Sequence, residues 1–149
     1  MIENWGSFDF EILLKLVISI ALGALIGFER ELKHRPAGLR THMLVSLGAT
    51  IFTLMSLSFD IEPARIAAGI VAGIGFIGAG SIIAQKGHVR GITSAATLWV
   101  VAGIGLGVGL GEFIIAIISA IFVFAILQLG RFEKGVSKEK SDSTESDYL

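Results

Sequence analysis

Between Arg65 and Lys86 the chain runs twenty residues without a charge, IAAGIVAGIGFIGAGSIIAQ. As a helix such a run covers about 30 Å, the thickness of a bilayer's hydrocarbon core. The run is also built from small residues, among them Ala67, Ala68, Gly69, Ala72, Gly73, Gly75, Gly78, Ala79, Gly80 and Ser81. At 3.6 residues per turn these fall on several faces and not on one stripe. Small side chains let helix backbones approach one another. The segment Ala64–Gln85 is therefore expected to be the central helix of a bundle, with bulkier helices gathered around it.

Similar runs occupy most of the sequence. Candidate spans are Phe10–Phe28, Leu39–Phe59, Pro63–Gln85, Ile92–Leu110 and Phe113–Gly130. Charge is concentrated in short segments between long apolar runs, which a soluble domain of 149 residues would not show. The absence of cysteine excludes disulfides, thiolate metal sites and thiol catalysis. A net charge of −1 with no broad basic face argues against nucleic acid. The opening MIENWGSFDFE is acidic where a signal peptide would be basic, so the first run is expected to stay as a span. With five crossings, Arg30, Lys33, Arg35, Arg40, Lys86, Arg90 and the basic residues after Gly130 share one side. Lys15 and Arg65 fall on the other, acidic side. The bias of Lys and Arg toward the cytoplasm then puts the N-terminus outside and the C-terminus inside. The expected fold is all-α: a polytopic membrane bundle over residues 1–133, with a disordered cytoplasmic tail over 134–149.

The faces of these helices carry further information. Glu11 and Lys15 form an i, i+4 pair, and Lys15, Ser19, Gly23, Gly27 and Arg30 continue along one face. Gly23 and Gly27 have the spacing of close helix contacts, either within the bundle or in a homodimer. Glu29–Lys33 and Glu31–Arg35 repeat the i, i+4 pattern, Pro36 ends the helix and Gly38 permits a turn. On the second span His42, Ser46, Ala49, Thr53 and Ser56 share a face, with Thr50 beside it. That stripe reads as an inward face bonded to neighbours, or else as a wet path. Asp60 to Pro63 reads as a helix start. Arg65 opposes the dipole of that helix, and reads either as a surface pair with Asp60, Glu62 or Glu112 or as an inward cation. Gly73-x-Gly75-x-x-Gly78 has the letters of a dinucleotide fingerprint but no strand before it and no acidic residue at the right distance, so that reading is rejected. Gly78–Ser81 is weak as helix; it reads as a packing segment or as a break exposing carbonyls to an ion. Thr93 or Ser94 can cap the fourth helix. Gly69, Gly73, Gly78, Gly103 and Gly107 join Gly23 and Gly27 as expected packing positions. On the fifth span Ala116, Ser119 and Ala120 form a narrow small stripe on an otherwise bulky helix, expected at the periphery.

The stretch GALIGFERELKHRPAGLRTHMLVSLGA, followed by ARIAAGIVAGIGFIGAGSII and VRGITSAATLW, resembles the MgtC/SapB family of bacterial inner-membrane proteins. The similarity runs from about Leu22 to Gly111. It implies a multi-pass protein of the bacterial cytoplasmic membrane tied to magnesium limitation, intracellular survival and control of membrane energetics. It also implies a regulatory role, with F-type ATP synthase among the proposed targets. The matching polar positions are Glu29, Arg30, Arg40, Thr41, Arg65, Arg90 and Thr93. Two departures stand out: Glu62 sits where the family often has Asp, and the soluble ACT-like domain of many members is not expected here. The bundle alone is expected to carry the function.

Glu29, Arg30, Arg40, Thr41, Arg90 and Thr93 all lie at the cytoplasmic ends of their spans. If those ends converge they form a charged cluster, with Glu29 expected to pair with Arg40 or Arg90. So many arginines disfavour a hard Mg²⁺ site without more oxygen ligands, and no metal site is assigned. No nucleophile–base pair is visible, so no enzyme and no cofactor are expected. The leading function is a regulator that binds another membrane complex. The alternative is a small channel or transporter for magnesium or another ion, perhaps working as a homodimer.

Overall fold

Residues 5–58, 63–85 and 88–146 are described by the computed structural model, with side chains for 10–58, 64–84 and 89–129. The chain is an all-α bundle: α1 (Trp5–Leu32), α2 (Leu39–Ser56), α3 (Pro63–Gly80), α4 (Ile92–Leu110) and α5 (Phe113–Ser146). A short hairpin, β1 (Ile83–Gln85) and β2 (His88–Arg90), joins α3 to α4. The expected helix start at Asp60–Glu62 and the basic Lys86 lie outside the described residues, as do the last three residues of the tail. The helix assignment of α5 continues to Ser146, through most of the segment where composition leads one to expect disorder. No proline follows Pro63 to force a stop.

The bundle is apolar outside and buries polar side chains beside its apolar core. Leu44, Phe76, Ile114 and Ile126 are each more than 60% exposed, while Ser19, His42, Ser46, Thr50 and Ser94 are buried to 1% or less. A water-soluble fold would invert this distribution. In a bilayer the apolar exterior meets acyl chains, and polar side chains are useful as glue between helices. α1 from Phe10 to Leu32 and α4 are long and apolar enough to cross a membrane. Ala64–Gly80 and Phe113–Leu129 are shorter apolar stretches.

The centre of the bundle is α4, and the expectation that the glycine-rich third segment is the hub is overturned. α4 packs on α1, α2, α3 and α5, whereas the packing of α3 is with α4 and α2. On one side of α4, Val101, Ile104 and Val108 join Ile26 of α1 and Ala116, Ala120 and Leu127 of α5 in an apolar cluster. On its other side Leu98 and Ala102 meet Ala49 and Ile74. A Cβ added at Gly69, Gly73, Gly75 or Gly80 of α3 would meet nothing within 4 Å. Small residues make close approach feasible, but they do not supply the neighbour. The tight glycines are Gly105 and Gly109 of α4. A Cβ at Gly109 would lie 2.6 Å from Thr53 Cβ, and one at Gly105 would run onto the Ser46 carbonyl. Gly103, expected to pack, faces open space. Gly107 makes only an ordinary contact with Ala116, and Gly78 does the same with Ala95. Gly23 and Gly27 of α1 press against α2: their added Cβ atoms would stand 2.7 Å from the His42 carbonyl oxygen and 2.8 Å from Leu39 Cα.

The third span also ends earlier than expected. Helix stops at Gly80, and Ser81 and Ile82 turn back on Gly78 and Ala79 through backbone bonds of 3.0 and 3.1 Å. The β-branched run Ile82–Ile83 then favours extended backbone. The strands pair antiparallel, with Ile83 opposite Arg90 and Ala84 opposite Val89. Gly91 closes the hairpin at φ +96°, and a Cβ there would collide with the Ser81 carbonyl. The turn from α4 to α5 uses Gly111 at φ +87°. Its N–H bonds the Val108 carbonyl at 3.0 Å, and the Glu112 N–H reaches back to Gly107 at 2.8 Å. This double bond pattern satisfies the orphan carbonyls of a helix end.

Candidate functional site

Charged and hydroxyl side chains meet inside the bundle where α1 stops, α2 starts and α4 starts. α1 delivers Glu29 and Arg30, each 4% exposed, and the half-buried Lys33 one turn on. The helix ends at Leu32 with His34 at φ +49°. The His34 and Arg35 N–H groups close on the Glu31 and Arg30 carbonyls at 3.0 Å each. Pro36 follows. Gly38 has φ −105°, so a left-handed turn is not its role; a Cβ there would strike the Glu31 carboxylate. That carboxylate accepts the Leu39 N–H at 3.0 Å, satisfying one of the unpaired donors at the start of α2.

Within the cluster the Glu29 carboxylate is neutralised by charge. Lys33 Nζ pairs with Oε1, and Arg30 Nη1 lies 3.7 Å from Oε2. Neither oxygen accepts a well-aligned hydrogen bond among the described residues, so the hold is coulombic, not directional. Arg30 Nη2 donates to Ser94 Oγ at 3.2 Å, tying α1 to α4. Lys33 Nζ donates to the Leu127 carbonyl at 3.0 Å, tying α1 to α5. His42 of α2 sits 2.8 Å from the Gly38 carbonyl through Nδ1 and 3.1 Å from Thr97 Oγ1 through Nε2. A carbonyl can only accept, so Nδ1 carries the proton. Thr97 Oγ1 also lies 2.8 Å from the Ser94 carbonyl and has one proton to give. Further along the same face, Thr50 Oγ1 reaches the Gly105 carbonyl at 2.8 Å, bonding α2 to α4. Thr53 and Ser56 are satisfied within α2, on Ala49 and Thr53 carbonyls at 2.7 Å each. Four members of the stripe from His42 to Ser56 are thus bonded within the protein, while Ser46 Oγ is buried with no partner among the described residues.

Of the positions expected in the cluster, only Glu29 and Arg30 enter it. Thr41 is half-buried beside α3, and Arg40, Arg90 and Thr93 are exposed at the same end of the bundle. Arg65 is exposed in the first turn of α3, at the opposite end. Glu29 pairs with its own helix, through Lys33 and Arg30, and the expected pairing with Arg40 or Arg90 is not formed. The reason is geometric: a residue one turn away needs no tertiary arrangement to be reached. Sequence reasoning gave the Glu29–Lys33 spacing but did not place Lys33, His42 or Thr97 in the cluster, and it read Thr93 or Ser94 as a cap. Helix α4 has no side-chain cap bond; Gly91 stands there, and Ser94 faces Arg30 instead. The spacing of Ser94, Thr97, Val101 and Gly105 was the available signal, a single helical face with its polar members at one end. Among the described residues no group of three His, Cys, Asp or Glu side chains could hold a metal ion.

A sequence profile described as the MgtC family matches residues 16–134. The chain belongs to the MgtC family. Protein MgtC of Salmonella typhimurium strain 14028s is 50% identical over 115 residues, covering 76% of this chain and 50% of that protein. Protein MgtC of Brucella abortus strain 2308 is 48% identical over 112 residues, covering 74% of this chain and 47% of that protein. The chain therefore spans about half the length of the curated relatives it matches. No solved structure matches. Family membership and the two helices of spanning length identify an MgtC-family membrane protein.

Proposed function

We propose that this bundle is the membrane-embedded part of a regulator that adapts membrane energetics to low magnesium by binding another membrane complex, F-type ATP synthase being the first candidate. In this reading it crosses the bacterial cytoplasmic membrane five times, with the N-terminus outside and the basic end of the bundle in the cytoplasm. One observation carries the reading: on the polar stripe of α2, the natural lining of an ion path, His42, Thr50, Thr53 and Ser56 are spent on carbonyls and on Thr97, and Ser46 alone of the polar members is left without a partner among the described residues. A conduction path needs polar groups turned to water, and these are turned to protein. The acidic Glu29 is neutralised by Lys33 and Arg30, and so offers little to a cation. What remains for function is the outer surface, where apolar helix faces can meet another membrane protein.

The test uses purified chain in liposomes loaded with a magnesium-sensitive dye, and inverted membrane vesicles carrying F-type ATP synthase. The expected result is no magnesium flux above protein-free liposomes and lowered ATP-driven proton pumping in the vesicles. Magnesium flux in pure lipid would overturn the proposal in favour of transport, and proton pumping untouched by the protein would overturn the assignment of F-type ATP synthase as its target.

A further inference from the structure

An apolar cleft of about 710 Å³ opens between α2 and α3, with Ala102 of α4 at its floor. Its α2 wall is the row Leu44, Gly48 and Phe52, at i, i+4 spacing. Its α3 wall includes Gly69 and Gly73. Glycine is the least favourable ordinary residue inside a helix. Yet Gly48, Gly69 and Gly73 have nothing within 4 Å of an added Cβ, so no contact inside the chain requires them. They clear a channel along the surface.

Two properties of the channel select its occupant. The first is length. Its lining runs from Thr41 to Phe52 on α2 and from Ile66 to Ile77 on α3, eleven steps on each helix or about 16 Å at 1.5 Å per residue. That is one leaflet of a bilayer whose hydrocarbon core is about 30 Å thick, and too short to seat a crossing helix along its whole path. The second is charge. The channel starts at the basic end of the bundle, and the α2 row continues one turn upward from Leu44 to the exposed Arg40. A cation at the mouth of an apolar groove one leaflet deep matches an anionic phospholipid, phosphate outward and acyl chain inward.

We infer that the cleft between α2 and α3 is a lipid site: it holds an acyl chain of an anionic phospholipid whose phosphate rests on Arg40. The inference rests on the membrane reading, though not on the identity of any regulated partner. Alkaline carbonate extraction comes first. Recovery of the chain in the soluble fraction would sink the membrane reading and the lipid site together. Full-length chain is then purified in dodecyl maltoside and examined by native mass spectrometry with dioleoyl phosphatidylglycerol or dioleoyl phosphatidylcholine added. The wild type is expected to keep one phosphatidylglycerol per chain. Gly73→Leu fills the cleft and should lose it. Gly75→Leu lies on the same helix, also with open space before its Cβ, but does not line the cleft, and should keep the lipid. Arg40→Gln should weaken phosphatidylglycerol binding about fivefold, the worth of one basic residue at an anionic surface, and leave phosphatidylcholine unchanged. Equal retention or equal loss in the two leucine variants overturns the site. So does an unchanged lipid preference in Arg40→Gln. Cross-linked dimers dispersed by Gly73→Leu with no change in bound lipid would mean that a second copy fills the cleft, and would also overturn it.

Discussion

Alanine at Gly109 and alanine at Gly103 should move stability in opposite directions, although the two positions lie on one helix. At Gly103 a Cβ meets nothing within 4 Å. The substitution therefore gains only the helix preference of alanine over glycine, about 1 kcal/mol. At Gly109 the same gain is outweighed. The new Cβ would stand 2.6 Å from Thr53 Cβ, 2.8 Å from its Cγ2 and 3.1 Å from the Thr50 carbonyl oxygen. Thr53 is held by the bond from its Oγ1 to the Ala49 carbonyl at 2.7 Å. Turning it away forfeits about 1 kcal/mol, and overpacking adds about 1–3 kcal/mol. The net loss at Gly109 is then about 2 kcal/mol. With about 2–4 °C per kcal/mol for a chain of this size, Gly109→Ala should lower Tm in detergent by about 4–8 °C and Gly103→Ala should raise it by about 2–4 °C. Thermal scans of the two variants against wild type decide it. A Gly109→Ala variant as stable as Gly103→Ala would refute the claim that α4 is pressed against α2 at the centre of the bundle.

Glu29→Gln leaves the Lys33 and Arg30 charges facing a neutral amide, and should cost about 3 kcal/mol in the same assay. The double variant Glu29→Gln with Lys33→Met should recover at least half of that; no recovery would mean the pair with Lys33 does not hold the carboxylate. Thr50→Val keeps the shape and removes the bond to Gly105, so a loss of about 0.6 kcal/mol is expected, near the average for such bonds between membrane helices. Gly91→Ala must hold φ near +96° and meets the Ser81 carbonyl, and should cost about 2 kcal/mol or more. Hydrogen exchange should locate that loss in the hairpin and the first turn of α4; protection unchanged there would argue against the hairpin.

Much of the bundle was legible because period and burial are linked. The face Lys15, Ser19, Gly23, Gly27 and Arg30 was read from spacing alone, and those five residues are buried together. The stripe from His42 to Ser56 was read the same way, and its members are the buried residues of α2. On α5 the small positions Ala116 and Ala120 lie against α4, while Ile114, Phe122 and Ile126 face outward. The hairpin was not legible, because Ile82 to Gln85 is as apolar as the helix before it, and only the pairing with His88–Arg90 distinguishes strand from helix. The cluster was half legible. Glu29 and Arg30 were singled out, but Ser94 reaches Arg30, and Thr97 reaches His42, from across the fold.

The amino-acid order by itself determined where helices lie, which of their faces turn inward, and that polar side chains belong inside an apolar exterior. These are properties of one helix at a time, set by run length and by a period of 3.6. Only the tertiary structure decided that α4 and not α3 stands at the centre, and that Gly105 and Gly109 rather than Gly69 and Gly73 are the close contacts. It also decided that Arg30 is answered by a serine sixty-four residues away. The physical reason is that a glycine or a buried charge states a requirement for space or for a partner, and a neighbouring helix has to meet it. Which helix does so depends on how all five pack, and no single stretch of sequence contains that.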